Sequence, residues 1–112
     1  MQFKEKIVGD VLVLCPLTSV IDASVSILFK GQVVDSIQKG HQRIVLDMSE
    51  VASMDSSGLG VLISLFKTTK HDGSLVLCNL NKTVKNLFRI TRFDKVIPIY
   101  DSLDDACRNV KH

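Results

Sequence analysis

Four short apolar runs, at residues 11–15, 44–46, 75–78 and 96–99, are separated by longer stretches whose apolar residues recur every three or four positions. This change of period limits the chain to few architectures. A consecutive apolar run too short for a helix reads as a strand covered on both faces, and strand-helix-strand succession requires parallel pairing through crossovers. Ahead of the first run, Phe3, Glu5 and Ile7 alternate with Lys4, Lys6 and Val8, and Gly9-Asp10 then interrupts. The start is therefore a hairpin with a half-exposed first strand.

Helical periodicity fills the intervals. Over residues 22–39, Ala23, Ile27, Phe29, Val33, Val34 and Ile37 lie within an arc of roughly 160° at 100° per residue, and Gly40 stops the pattern. After Asp55, Leu59, Leu62, Ile63, Leu65 and Phe66 share a side, with Ser64, Lys67 and Lys70 off it, until Asp72-Gly73. Asn81 caps a third helix with Val84, Leu87, Phe88 and Thr91 inward. Pro98 marks the last strand as an edge, and Ser102-x-x-Asp105 opens a fourth helix bearing Leu103, Ala106, Cys107 and Val110. The expected fold is α/β: residues 1–112 form one domain, a single mixed and mostly parallel sheet with an N-terminal hairpin and four helices. Its core should include Val13, Ile27, Val45, Leu62, Phe66, Val76 and Phe88. A hydrophobic content of 46% in 112 residues suffices for such a core without metal or disulfide support.

Several function classes lose their footing at this level. Fourteen basic against 12 acidic residues give a net charge of +2, too small to argue for nucleic acid or membrane partners. Cys15, Cys78 and Cys107 are odd in number, widely spaced and set in apolar patterns, so they read as small hydrophobes in a reducing cytoplasm. No metal or cofactor is expected. The N-terminus lacks the apolar stretch of a signal peptide. A nucleophile elbow would need glycine two residues before its serine, but Met54 precedes Ser56 and Asp55 precedes Ser57. The dinucleotide fingerprint fails because Ile63 stands where the third glycine would be. His41, His71 and His112 read as surface residues, and no base is placed by local spacing. The chain is not expected to be an enzyme.

What remains is the segment Met54-Asp55-Ser56-Ser57-Gly58-Leu59-Gly60, where a polar turn enters a helix on two hydroxyls. A helix start presents free N–H groups and the positive end of the macrodipole, so an anion attached there is favoured. Gly58 and Gly60 leave room for another protein's surface at a cost to the helix of about 1 kcal/mol each. Spacing alone is better served by an ordinary cap, with the glycines packing the helix on the sheet. Asp47 and Asp55 should share the carboxyl edge of the sheet, where α/β domains place their sites. Val61 and Leu28 fall off their helices' apolar arcs and are expected to be exposed. Lys82, Lys85, Arg89, Arg92 and Lys95 make a basic stripe that reads first as a solvated helix face.

The strand from Ile44 to Asp47, the Met54-Asp-Ser-Ser-Gly-Leu-Gly60 turn and Thr83-Val-Lys-Asn-Leu-Phe88 together resemble the STAS-domain family, most closely its small bacterial anti-sigma-factor antagonists. The resemblance covers nearly the whole chain. It implies that Ser56 is phosphorylated by an anti-sigma factor with a serine-kinase ATPase domain, which the unphosphorylated form sequesters, thereby freeing a sigma factor. It also implies a serine/threonine phosphatase that resets the switch. Asp22, Asp55, Ser57, Gly58, Gly60 and Val61 would contact the partner. The family's acidic residue after the second strand sits in a Gly-x-hydrophobic-Asp sequence. Here Leu17-Thr-Ser19-Val-Ile-Asp22 has serine for the glycine, so Asp22 takes that role or is simply a cap. Other members of the fold would make this a subunit of a lipid-transport or transporter-associated complex, or a nucleotide-binding module.

Overall fold

The computed structural model describes residues 1–69 and 74–111. In chain order the elements are β1 (Phe3–Val8), β2 (Val11–Pro16), β3 (Val20–Ile21), α1 (Ala23–Gln38), β4 (Ile44–Asp47), β5 (Ser53–Met54), α2 (Ser56–Thr68), β6 (Leu75–Cys78), α3 (Lys82–Ile90), a 3₁₀ turn (Phe93–Lys95), β7 (Ile99–Tyr100) and α4 (Leu103–Asn109). The main sheet runs β1-β2-β4-β6-β7. β1 pairs antiparallel with β2 across a two-residue turn in which Gly9 takes φ +63°, and the remaining pairs are parallel. The expected mixed sheet and four helices are present.

Strand alternation sorts the core into two layers. Leu12, Leu14, Ile44, Leu46, Leu75 and Leu77 point to one face, where Phe29 and Val33 of α1, Leu62, Leu65 and Phe66 of α2, and Val84 and Phe88 of α3 cover them. Val11, Val13, Val45, Val76 and Cys78 point to the other, against Ala106 and Val110 of α4. The bulkier strand residues thus meet three helices, and the smaller ones meet a single short helix. β1 is more exposed than its alternation suggested, since only Phe3 is half-buried, where it stacks on Phe29 with ring centroids 5.8 Å apart.

α1 corrects one expectation outright. Asp22 caps it and Gly40 at φ +98° ends it, as the sequence indicates, but Ile27 is 80% exposed and Ala23 is exposed as well. The buried stripe is Ser26, Phe29, Val33 and Ser36. The apolar residues of α1 alone do not define its buried face. Ser26 and Ser36 can turn inward because their hydroxyls donate back to Ala23 and Gln32 carbonyls of their own helix. The other expected core residues, Val13, Val45, Leu62, Phe66, Val76 and Phe88, are all buried.

Smaller corrections follow from tertiary context. β3 and β5, two residues each, pair in parallel as a separate ladder and were too short for any periodicity to show. The expected strand over residues 96–99 is instead a 3₁₀ exit, entered through Arg92 at φ 63°, with Ile97 buried and the strand delayed to Ile99–Tyr100 at the sheet edge. Thr91 faces solvent and its hydroxyl donates to the Leu87 carbonyl, while His41 is half-buried and its backbone N–H donates to the Ser36 carbonyl. Lys70, His71, Asp72-Gly73 and His112 lie outside the described residues. No helix among the described residues is long and apolar enough to cross a membrane.

Cys15 and Cys78 are buried and Cys107 is half-buried. Burial pushes all three thiols up, Cys78 to about 12. Since the thiolate is the reactive form, Cys78 in the folded protein should alkylate about a thousandfold more slowly at pH 8 than a thiol of ordinary pKa, and react at the ordinary rate once denatured. Mass-resolved iodoacetamide labelling with and without denaturant measures this. Rapid native labelling of Cys78 would show that β6 is not shielded by α4.

Candidate functional site

Two helix starts are set side by side by the small β3–β5 ladder. Val20 pairs with Ser53 and Ile21 with Met54, so the next residues, Asp22 and Asp55, are brought alongside each other. The Asp55 N–H donates to the Ile21 carbonyl at 3.2 Å, and α1 and α2 then pack against each other as they leave the ladder. Each aspartate caps its helix. The Asp55 carboxylate accepts from the Ser57 and Gly58 N–H groups at 2.9 and 3.1 Å. The Asp22 carboxylate accepts from the Ser24 N–H at 2.9 Å and the Ser24 hydroxyl at 2.5 Å. Hydrogen bonds from the Ser24 hydroxyl first, then from the Ser24 and Val25 backbone, hold the Asp22 carboxyl below the usual carboxylate range.

Ser56 is the first residue of α2 and is exposed. Because Asp55 makes the cap, the Ser56 hydroxyl is not spent on it. Ser57 is half-buried. A phosphate on Ser56 would find two N–H groups of the first turn already committed to Asp55. It would therefore stand at the surface with its charge largely uncompensated by the fold.

The two glycines differ in a way their spacing does not reveal. A Cβ on Gly58 would lie 2.6 Å from the Ile21 carbonyl oxygen and 2.8 Å from the Ile21 Cγ2, whereas nothing lies within 4 Å of one on Gly60. Gly58 is buried and serves the close approach of α2 to β3. Gly60 is exposed and open. Gly58 therefore has the internal packing role that the capping alternative assigns to the glycines, and Gly60 does not share it. Gly58→Ala should cost about 1 to 3 kcal/mol, because its new methyl meets backbone rather than a flexible side chain. Gly60→Ala should gain up to about 1 kcal/mol from helix propensity. Urea melts of both variants separate the two roles, and equal effects would refute the distinction.

Other expected site residues fall as follows. Val61 is half-buried and packs against the three-helix core, so it does not face fully outward. Leu28 is 57% exposed, as expected, and with Ile27 it forms an apolar crest on the outer side of α1 that periodicity had assigned partly to the core. The off-stripe position of Ile27 becomes legible only once Ser26 and Ser36 are counted as buried. Asp47 ends β4, but its carboxylate is engaged by the Ser49 N–H and the Asn79 amide, each at 3.1 Å. The basic stripe is exposed along α3 and beyond, and Lys85 pairs with Asp101 at 3.0 Å.

The STAS domain model matches residues 2–106. A Thermotoga neapolitana protein named as a candidate anti-sigma factor antagonist is 34% identical over 111 residues, 97% of each chain. An anti-sigma F factor antagonist of Paenibacillus polymyxa is 32% identical over 88 residues, covering 77% of this chain and 75% of its own. The crystal structure of a candidate anti-sigma factor antagonist from Thermotoga maritima superposes with a TM-score of 0.87 at 33% identity, covering 98% of this chain and 95% of that one. With its sheet order, paired helix starts and matched length, the chain belongs to the STAS domain family.

Proposed function

We propose that this protein is an anti-sigma-factor antagonist that works as a phosphorylation-controlled binding switch. Unphosphorylated, it sequesters an anti-sigma factor carrying a serine-kinase ATPase domain and so frees a sigma factor. Phosphorylation at Ser56 releases the partner, and a serine/threonine phosphatase restores the binding form. The observation that carries this reading is an exposed serine at the first position of α2, beside a cap that does not need it. The names of the relatives support the same reading over a transporter-associated or nucleotide-binding role. The docking face would comprise Asp22, Asp55, Ser57, Gly60 and the exposed edge of Val61, with Gly58 shaping it from beneath. The crest of Ile27 and Leu28, 80% and 57% exposed, continues it along α1 and offers apolar surface for the partner to cover.

A phosphate brings roughly −1.5 to −2 charge to the middle of that face, beside two aspartates, and carries a hydration shell that docking would have to strip. The partner lets go for that reason. Incubation with the cognate serine kinase and ATP, followed by peptide mapping, is expected to find one phosphoryl group on Ser56. Absence of incorporation alongside stable binding to a lipid-transport ATPase would replace this reading with the transporter-associated one.

A further inference from the structure

Asn81 joins the phosphoacceptor segment to the rest of the fold, and we infer that it is the positioning residue that presents Ser56 to the kinase. This inference rests on the phosphoacceptor reading above. The Asn81 side chain bonds in two directions at once. Its Oδ1 accepts from the Val84 N–H at 2.8 Å and caps α3. Its Nδ2 donates to the Ala52 carbonyl at 2.9 Å and the Val51 carbonyl at 3.3 Å. Only this amide orientation works, because the flipped one would set an oxygen against two carbonyl oxygens.

The clamped segment is the one that delivers Ser56. Val51 is buried and anchors one end, while the Ala52 and Ser53 N–H groups both donate to the Ser19 carbonyl, at 2.7 and 3.1 Å. Two residues later Asp55 begins the α2 cap. Between Val51 and Asp55 the chain is anchored to the core only through the half-buried Met54, while Ala52 is exposed and Ser53 half-buried. Its backbone is held by the ladder on one side and by Asn81 on the other. A cap alone would be met equally by serine or aspartate, so asparagine is the choice that also supplies two donors.

Asn81→Asp and Asn81→Ser keep an acceptor for the Val84 N–H and remove the amide Nδ2 that reaches the Val51 and Ala52 carbonyls. In both, the Ala52, Ser53 and Asp55 amides should lose nearly all their protection against deuterium exchange, while amides within α3 keep theirs. With the cognate serine kinase and ATP, KM for the variant proteins should rise about fivefold at unchanged kcat. A partly populated presenting conformation lowers apparent affinity by its population and leaves the saturated complex alone. A merely structural loss of the α3 cap would instead expose α3 amides. If the wild type takes no phosphate at Ser56, the phosphoacceptor reading fails and the role of Asn81 in presentation falls with it. If the wild type is phosphorylated normally and both variants match it in KM and in exchange at Ala52, Ser53 and Asp55, the Asn81 inference alone is overturned.

Discussion

Ser56→Asp is expected to bind the partner kinase roughly two orders of magnitude more weakly than the wild type, while Ser56→Ala binds it constitutively and accepts no phosphate. The loss corresponds to about 3 kcal/mol, from a fixed charge set among Asp22 and Asp55 at the docking centre. Aspartate imitates phosphoserine imperfectly, with one charge and fewer acceptor oxygens, so the phosphorylated protein should bind no better than this variant. Neither change should unfold the chain. Favourable interaction with the α2 dipole, a few tenths to about 1 kcal/mol, is opposed by Asp55, which already holds two first-turn N–H groups. Partner affinity and melting temperature measured on the same samples test both halves. Labelling of Ser56→Ala but not of Ser57→Ala would move the acceptor to Ser57. A large fall in melting temperature on phosphorylation would mean that the switch acts through the fold rather than at the surface.

Leu62→Ala should cost about 2 to 5 kcal/mol, the largest stability effect expected of the substitutions considered. Leu62 is 1% exposed and sits in the layer that α2 lays over the leucine face of the sheet, between Leu59 and Phe66. Close packing prevents full collapse into the space its side chain leaves, so a cavity term adds to the lost transfer free energy. Ile27→Ala provides the contrast. With Ile27 80% exposed, it should change stability by no more than about 0.5 kcal/mol and weaken partner binding instead. Urea denaturation of the two variants decides the matter. A Leu62→Ala cost below 0.5 kcal/mol would show the α2 face to be wrongly assigned, and a core-sized cost for Ile27→Ala would return Ile27 to the interior.

The fold class was legible because it follows from local rules that tertiary packing had no reason to override. β2, β4 and β6 are apolar on consecutive residues because both faces are covered, and leucine and isoleucine alternate with valine and cysteine along them, which sorts the two layers in advance. Asp22, Asp55, Asn81 and Ser102 each cap the helix that the sequence assigns them, and Gly40 ends α1 in the left-handed conformation that favours glycine. The position of Ser56 at the start of α2 was likewise legible in the turn chemistry of its own segment.

Only the tertiary structure decided what depends on neighbours distant in sequence. The β3–β5 ladder is too short to carry a period, yet it sets Asp22 beside Asp55 across more than thirty residues and makes one site of two helix starts. Gly58 and Gly60 are chemically identical in the sequence. Ile21 alone makes one of them obligatory and leaves the other open. Ile27 reads as core until the serines at 26 and 36 turn inward with their hydroxyls bonded to their own helix, and Asn81 reads as a plain cap until the Val51 and Ala52 carbonyls arrive within reach of its amide. Side-chain period and cap chemistry act within a few residues and are written in the chain. Which face of a helix is buried, and which backbone a side chain meets, is settled by packing among segments whose proximity no local pattern records.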